Sequence, residues 1–229
     1  MSTRFPNGIT TVSKSDTLGE FILPAPTTAH TYFNDFDTYT AADWTITTTE
    51  LGTGSATEEL NNSDGGVLLI TNAAGDNDND FFNKVGESFA MEAGKKAWFE
   101  ARFKVSDATQ SDWIMGLQIT DTTPLAVTDG IFFRKDDGDT DIDLVVTKDS
   151  TATTSTAIGT NTSDTFIKVG FYYNGSDKII GYIDGAAKAS LATTNLPDDE
   201  VLTISFGLQN GEAVAKTMAI DYILASKER

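Results

Sequence analysis

Apolar and polar residues alternate with a period of two through much of the chain beyond residue 40. The clearest run is 97–105, where Ala97, Phe99, Ala101, Phe103 and Val105 share one face and Trp98, Glu100, Arg102 and Lys104 the other. Alternation of that length predicts a half-buried strand, because successive side chains of an extended backbone point to opposite sides. Trp113, Met115, Leu117 and Ile119 repeat the pattern over 113–120. Further strands are predicted over 43–48, 66–71, 130–135, 141–147, 165–173, 178–184, 201–208 and 217–224. Two of the intervening links, Asp136-Asp137-Gly138-Asp139 and Asn174-Gly175-Ser176-Asp177, read as hairpin turns with glycine supplying positive φ, and Asn195-Leu196-Pro197-Asp198 marks another turn. No amphipathic helix of ordinary length is predicted. About ten to twelve strands exceed what one flat sheet holds without curling, so the expected architecture is two packed antiparallel sheets, their inner faces about 10 Å apart.

Residues 1–30 break the alternation. Phe5, Ile9, Val12, Leu18, Phe21, Ile22 and Leu23 are scattered among Gly, Ser and Thr, and Pro24-Ala25-Pro26 closes the stretch. Proline forbids continued ladder bonding and presses its predecessor toward extended backbone. The expectation is an extended N-terminal arm over 1–30 and a single sandwich domain over 31–229. Such an arm orders only when its own domain or a neighbouring chain holds it. Its charges are Arg4, Lys14, Asp16 and Glu20, a net of zero.

Composition supports the all-β class: the chain carries 24 Asp against 10 Glu, with 34 Thr and 19 Gly, a mixture that disfavours helix and suits strands joined by Asp, Asn and Gly turns. A net charge of -18 repels a phosphate backbone, so no nucleic-acid partner is expected. No apolar run approaches the roughly 18–20 residues that span a bilayer, and no 7–15-residue apolar stretch follows the first residues, so neither membrane association nor a secretory leader is expected. With no Cys there is no thiolate nucleophile or Cys-ligated metal, and the single His30 excludes a site built on two imidazoles.

Few residues suggest chemistry. Asp76, Asp78 and Asp80 alternate with Asn77 and Asn79, and Glu87 stands twelfth from Asp76, an oxygen-ligand spacing that Ca²⁺ favours. Phe81 occupies the place of the turn-making Gly in that pattern, so the expectation is a solvated loop with no metal and no cofactor. His30 is read as a surface residue where arm and domain meet. Trp98, flanked by Glu100 and Arg102, is the candidate glycan contact.

The run Tyr32-Phe33-Asn34-Asp35-Phe36-Asp37 leading to Trp44, the strand from Trp98 to Val105, and the closing Met218-Ala219-Ile220-Asp221-Tyr222-Ile223 resemble the concanavalin A-like lectin/glucanase superfamily. The resemblance covers roughly 32–226 and implies a two-sheet jelly-roll sandwich in which the last strand lies beside the first. Laminarinase-type hydrolases of that superfamily carry two Glu and an Asp at alternate positions of one strand, since retaining hydrolysis needs two carboxyls about 5–5.5 Å apart. Here no Glu lies between Glu100 and Glu200. Asp139, Asp141 and Asp143 are the nearest mimic and read as a solvated face beside a turn, so no catalytic residue and no enzymatic activity are expected. Separately, Arg4-Phe5-Pro6-Asn7-Gly8-Ile9-Thr10 resembles the opening of structural proteins from tailed-bacteriophage virions. That resemblance implies a head decoration or cement protein, made in the host cytoplasm and seated on the outer capsid. Arg4, Phe5, Pro6, Ile9, Val12, Leu18, Phe21, Ile22 and Leu23 would then contact the major capsid protein and sister copies, in a homo-oligomer for which a trimer is favoured over a dimer. The alternative is a lectin-like module of a phage fibre or head appendage.

Overall fold

The computed structural model describes residues 27–61 and 65–229. The arm residues expected to touch a capsid, Arg4 to Leu23, lie outside them. Strand β1 (Ala29–Asn34) opens the described chain, followed by β2 (Trp44–Thr49), β3 (Thr57–Asn61), β4 (Val67–Thr71), β5 (Asn79–Lys84), β6 (Phe89–Ala90), β7 (Ala97–Val105) and β8 (Ser111–Gln118). Then come β9 (Gly130–Lys135), β10 (Asp141–Lys148), β11 (Thr151–Thr160), β12 (Ile167–Tyr173), β13 (Lys178–Ile183), β14 (Ala186–Ala192), β15 (Val201–Asn210) and β16 (Thr217–Glu228). The helical content of the described residues is two single 3₁₀ turns, Ala41–Asp43 and Pro124–Ala126. No helix among them is long and apolar enough to cross a membrane.

The strands form two antiparallel sheets. In the first the order is β14-β13-β12-β7-β16-β4-β3, with β1 also on β16; in the second it is β11-β10-β9-β8-β15-β5-β2, with β6 also on β15. The expected sandwich is present, and the last strand does lie beside the first.

Its interior follows from the period-two pattern. β7 is buried at every odd position and half-buried at every even one, as the alternation predicts. Phe103 on β7 meets Trp113 on β8 edge-on at 4.9 Å between ring centroids, which joins the two sheets at mid-core. Phe82 stacks on Phe206 at 5.0 Å, and Trp44 packs edge-on against Phe206. Burial of such side chains contributes about 1.5–3 kcal/mol each before ordering costs.

Both predicted hairpins are formed. In the β12–β13 turn Gly175 has φ +79°, and the Asn174 side-chain oxygen accepts from the backbone N–H groups of Ser176, Asp177 and Lys178. The β10–β11 pair is less regular, with a register shift between Ile142 and Leu144. Ala157 sits at this bulge with φ 52° and donates its N–H to Asp143 Oδ1 at 2.9 Å. A left-handed alanine carries a Cβ penalty that glycine avoids. Ala157→Gly should therefore stabilise the fold by about 0.5–1 kcal/mol, read as a higher midpoint in thermal unfolding, whereas Ala157→Val should lower it.

Candidate functional site

Asp141 and Asp143 lie on β10 at the outer face of the second sheet, which is largely closed. Ile114, Phe132, Val145 and Phe81 point outward from β8, β9, β10 and β5 and form a small second core with Val127. The 119–129 loop covers them; Leu125 and Ile119 pack on the cluster, and Gln118 holds the loop by donating to the Pro124 carbonyl at 3.0 Å. A cleft of about 260 Å³ remains at one side, between this loop and Thr49, Asn79, Phe81 and Gln209. It contains no carboxylate.

Two of the three aspartates singled out by spacing are occupied by local backbone bonds. Asp139 accepts the Asp141 backbone N–H, and Asp143 accepts that of Ala157. Burial pushes the Asp143 carboxyl above its ordinary range. Asp139 and Asp141 are exposed, as a solvated face beside a turn should be.

The Asp76–Asp80 run departs from the solvated loop expected of it. Asp76 is exposed, but Asp78 and Asp80 are fully buried, and Asp80 belongs to β5. Asp78 accepts the backbone N–H groups of Gly75 at 2.8 Å and Leu51 at 2.5 Å, so it ties two loops together. Glu87 accepts the Thr120 N–H elsewhere. Among the described residues no group of three or more His, Asp or Glu side chains is arranged to hold a metal ion. His30 also differs from expectation: it lies in β1, half-buried, with its ring 5.0 Å from Phe89 and Nε2 3.2 Å from Ser88 Oγ. Burial first, then Arg229 and Lys227, lower its pKa.

The outer face of the first sheet is open among the described residues. Register brings Tyr172 of β12 opposite Trp98 of β7, and Gly170 opposite Glu100; β13 then sets Ile180 beside Tyr172 and Tyr182 beside Gly170. Trp98 is 5.3 Å from Tyr182 and 6.2 Å from Tyr172 between centroids, all three half-buried. Gly170 lies among them and is itself buried. A Cβ there would stand 2.8 Å from the Phe99 carbonyl and 3.5 Å from Glu100 Cβ.

Charged residues frame this aromatic group. Glu100 accepts the Tyr222 hydroxyl at 2.6 Å and lies 3.8 Å from Lys168 Nζ. Burial, then Glu100, raises the Tyr222 pKa, so its proton stays in this bond. Arg102 pairs with Asp221 and lies over the Phe166 ring at 4.2 Å. Trp98, Glu100 and Arg102 thus stand in one outward row, as predicted. Sequence reasoning missed Tyr172, Tyr182 and Gly170. The alternation of β12 puts Lys168, Gly170 and Tyr172 on its outer side, but strand order alone places that side next to Trp98.

At the end of the Trp98 row a cleft of about 300 Å³ is lined by Trp98, Tyr172, Ser226, Lys96, Lys227 and Glu228 together with Thr28, Ala29 and Ala97. Aromatic faces beside hydrogen-bonding and charged groups can stack an apolar ring face while binding its polar substituents.

No known family profile matches the sequence, and no curated protein matches it. Solved structures do share the fold. A protein of unknown function from Shewanella oneidensis MR-1 superposes with a TM-score of 0.62 at 18% identity, over 96% of this chain and 95% of its own. An endo-1,3-β-glucanase from Streptomyces sioyaensis gives 0.63 at 13% identity, over 90% and 99%. Peanut lectin gives 0.57 at 11% identity, over 87% and 97%. The fold is therefore the concanavalin A-like jelly-roll sandwich shared by glucanases and lectins. At these identities the likeness is one of fold, and glucanases and lectins alike carry it.

Proposed function

We propose that this chain is a non-enzymatic, lectin-like binding domain that presents the outer face of its first sheet to a carbohydrate chain. The observation that carries the reading is the Trp98–Tyr172–Tyr182 platform around Gly170, with Glu100, Arg102 and Lys168 at its margin. The lectins and glucanases among the fold neighbours support it at the level of architecture. The apolar cover on the second sheet and the absence of Glu between 100 and 200 argue against hydrolysis. Trp98→Ala should lower glycan binding by about tenfold or more, as removal of a stacked aromatic commonly costs 1–3 kcal/mol. Calorimetric titration of glycans retained on an array measures this. Equal affinity of variant and parent would refute the platform; reducing ends released from laminarin, and lost in Asp141→Ala, would refute the non-enzymatic reading.

A second element of the proposal concerns location. The likeness of Arg4–Thr10 to the opening of phage virion proteins, and the zero net charge of residues 1–30 on a chain of -18, favour a domain seated on a particle through its first 23 residues. Its partners there would be the major capsid protein and sister copies. A chain lacking residues 1–23 should no longer co-sediment with capsids, and undiminished occupancy would remove this part of the reading.

A further inference from the structure

The cleft beside Trp98 differs in charge from the rest of the molecule. The chain carries 34 acidic against 16 basic residues, yet Lys95, Lys96, Lys178 and Lys227 gather at this end of the first sheet. The acidic groups nearby are already engaged. Glu92 holds Lys95 at 2.6 Å and Lys227 at 3.6 Å, Glu228 accepts the Lys96 backbone N–H at 2.8 Å, and Asp177 accepts the Asn174 amide. Lys96 itself is exposed, and among the described residues no carboxylate stands within ion-pair distance of its Nζ. Lys178, also exposed, has no ion pair among them either. Lys96, solvated at the lip of a cleft walled by an indole and a phenol, can meet an anion there without first leaving a protein carboxylate.

We propose that the saccharide bound on this face is anionic, a sugar whose ring stacks on Trp98 and Tyr172 while its carboxylate or sulfate meets Lys96. The proposal rests on the carbohydrate reading above and narrows its ligand class. A neutral sugar would use the stacking surface equally and leave Lys96 unmatched. Arg102 and Lys168, further along the row, are less suited to an anion, because Asp221 and Glu100 already face them. The field of the whole chain opposes any anion at long range, but beyond about 8 Å at physiological salt that opposition is largely screened, and contact at Lys96 is not.

The test compares a hexameric oligogalacturonate with the same hexamer after reduction of its carboxyls, by calorimetry with the full chain at physiological salt. The acidic form should bind more tightly, by up to about fivefold, the upper worth of one exposed ion pair. Lys96→Gln should erase the preference, weakening the acidic hexamer more than the reduced one. Trp98→Ala should weaken both. If the reduced hexamer binds as well as the acidic one, the anionic assignment fails while the carbohydrate reading stands. If neither binds, the carbohydrate reading fails and this proposal with it.

Discussion

Asn210→Ala is expected to lower the stability of the domain by about 3–5 kcal/mol, a loss in the upper range for single substitutions. Asn210 is fully buried at the end of β15 and all its polar valences are used. Its side-chain nitrogen donates to the Ala73 carbonyl at 2.7 Å and to that of Gly75 at 2.9 Å, while its oxygen accepts from Asn72 Nδ2 and from the Lys216 N–H, each at 3.2 Å. Backbone bonds run in parallel, Asn77 N–H to the Asn210 carbonyl and Asn210 N–H to that of Asp78. Alanine would leave the Ala73 carbonyl and the Lys216 N–H without partners at about 1–3 kcal/mol each, and the Gly75 carbonyl with only the Asp78 N–H, partly relieved if water enters. Chemical denaturation should show the loss with an unchanged denaturant slope. Asn210→Asp should be comparably damaging, since a carboxylate cannot donate to the two carbonyls. A change below 1 kcal/mol would mean the 72–78 loop is held by something else.

Stability should also fall as pH rises from about 4 to 7, and Asp80→Asn should remove much of that slope. Asp80 lies within the sandwich wall with one oxygen accepting from the Thr48 hydroxyl and the other without a donor. Glu58 from β3 reaches the same carboxyl, Glu50 adds negative charge, and the Tyr39 hydroxyl nearby is also unpartnered. Burial, then these acidic neighbours against the opposing Thr48 bond, pushes the Asp80 pKa up to about 7, and burial with Glu58 and Asp80 raises that of Tyr39 to about 12.

The sign follows from proton counting. Below about pH 4 both folded and unfolded chains hold the Asp80 proton. Between about 4 and 7 only the folded chain holds it, so each rise in pH favours unfolding. Above 7 both have lost it, and the penalty has reached its full size, about 4 kcal/mol for a shift of three units. An amide at position 80 can accept from Thr48 and donate to Glu58 without any charge. The variant should therefore unfold at higher temperature than the parent at pH 8 and at a similar temperature at pH 4. Equal midpoints at pH 8 would show that ionising Asp80 costs the fold nothing and that its pKa is not raised.

Much of the core was legible in the chain because its strands are strongly periodic. The 97–105 segment carries five buried residues at odd positions and forms β7 with the predicted bounds. Strands whose stability comes from their neighbours left no such signal. β11, with the sequence Thr151 to Thr160, is an edge strand of Thr, Ala and Ser held by β10, and β14 is alanine-rich and pairs only with β13. β5 was hidden by its polar ends: Asn79 and Asp80 read as a continuing loop, although Phe81 and Phe82 fill opposite faces of the sheet. The site was half legible for a related reason. Trp98, Glu100 and Arg102 lie on one strand, so spacing reveals them, whereas Tyr172 and Tyr182 reach Trp98 through strand order, which no local pattern encodes.

The pairing of β1 with β16 sets how the domain responds to mechanical load. The two strands run antiparallel over six paired positions, with Ala29 opposite Glu228, and Arg229 donates its N–H to the Thr28 carbonyl. A pull between residues 27 and 229 therefore strains one rung at a time, starting at the outermost, which is the weakest direction in which to load a ladder. β1 lies off the main path of its sheet, so β7, β16 and β4 stay paired while it peels. A tether ahead of Thr27 would thus meet a compliant first element that yields and re-forms, with the aromatic face of β7 and β12 unaffected. Pulling instead between residue 27 and residue 217, at the far end of β16, would load β1 along its length and require its rungs to break together. In a force-extension measurement the first geometry should give an early, low-force step, and the second should not.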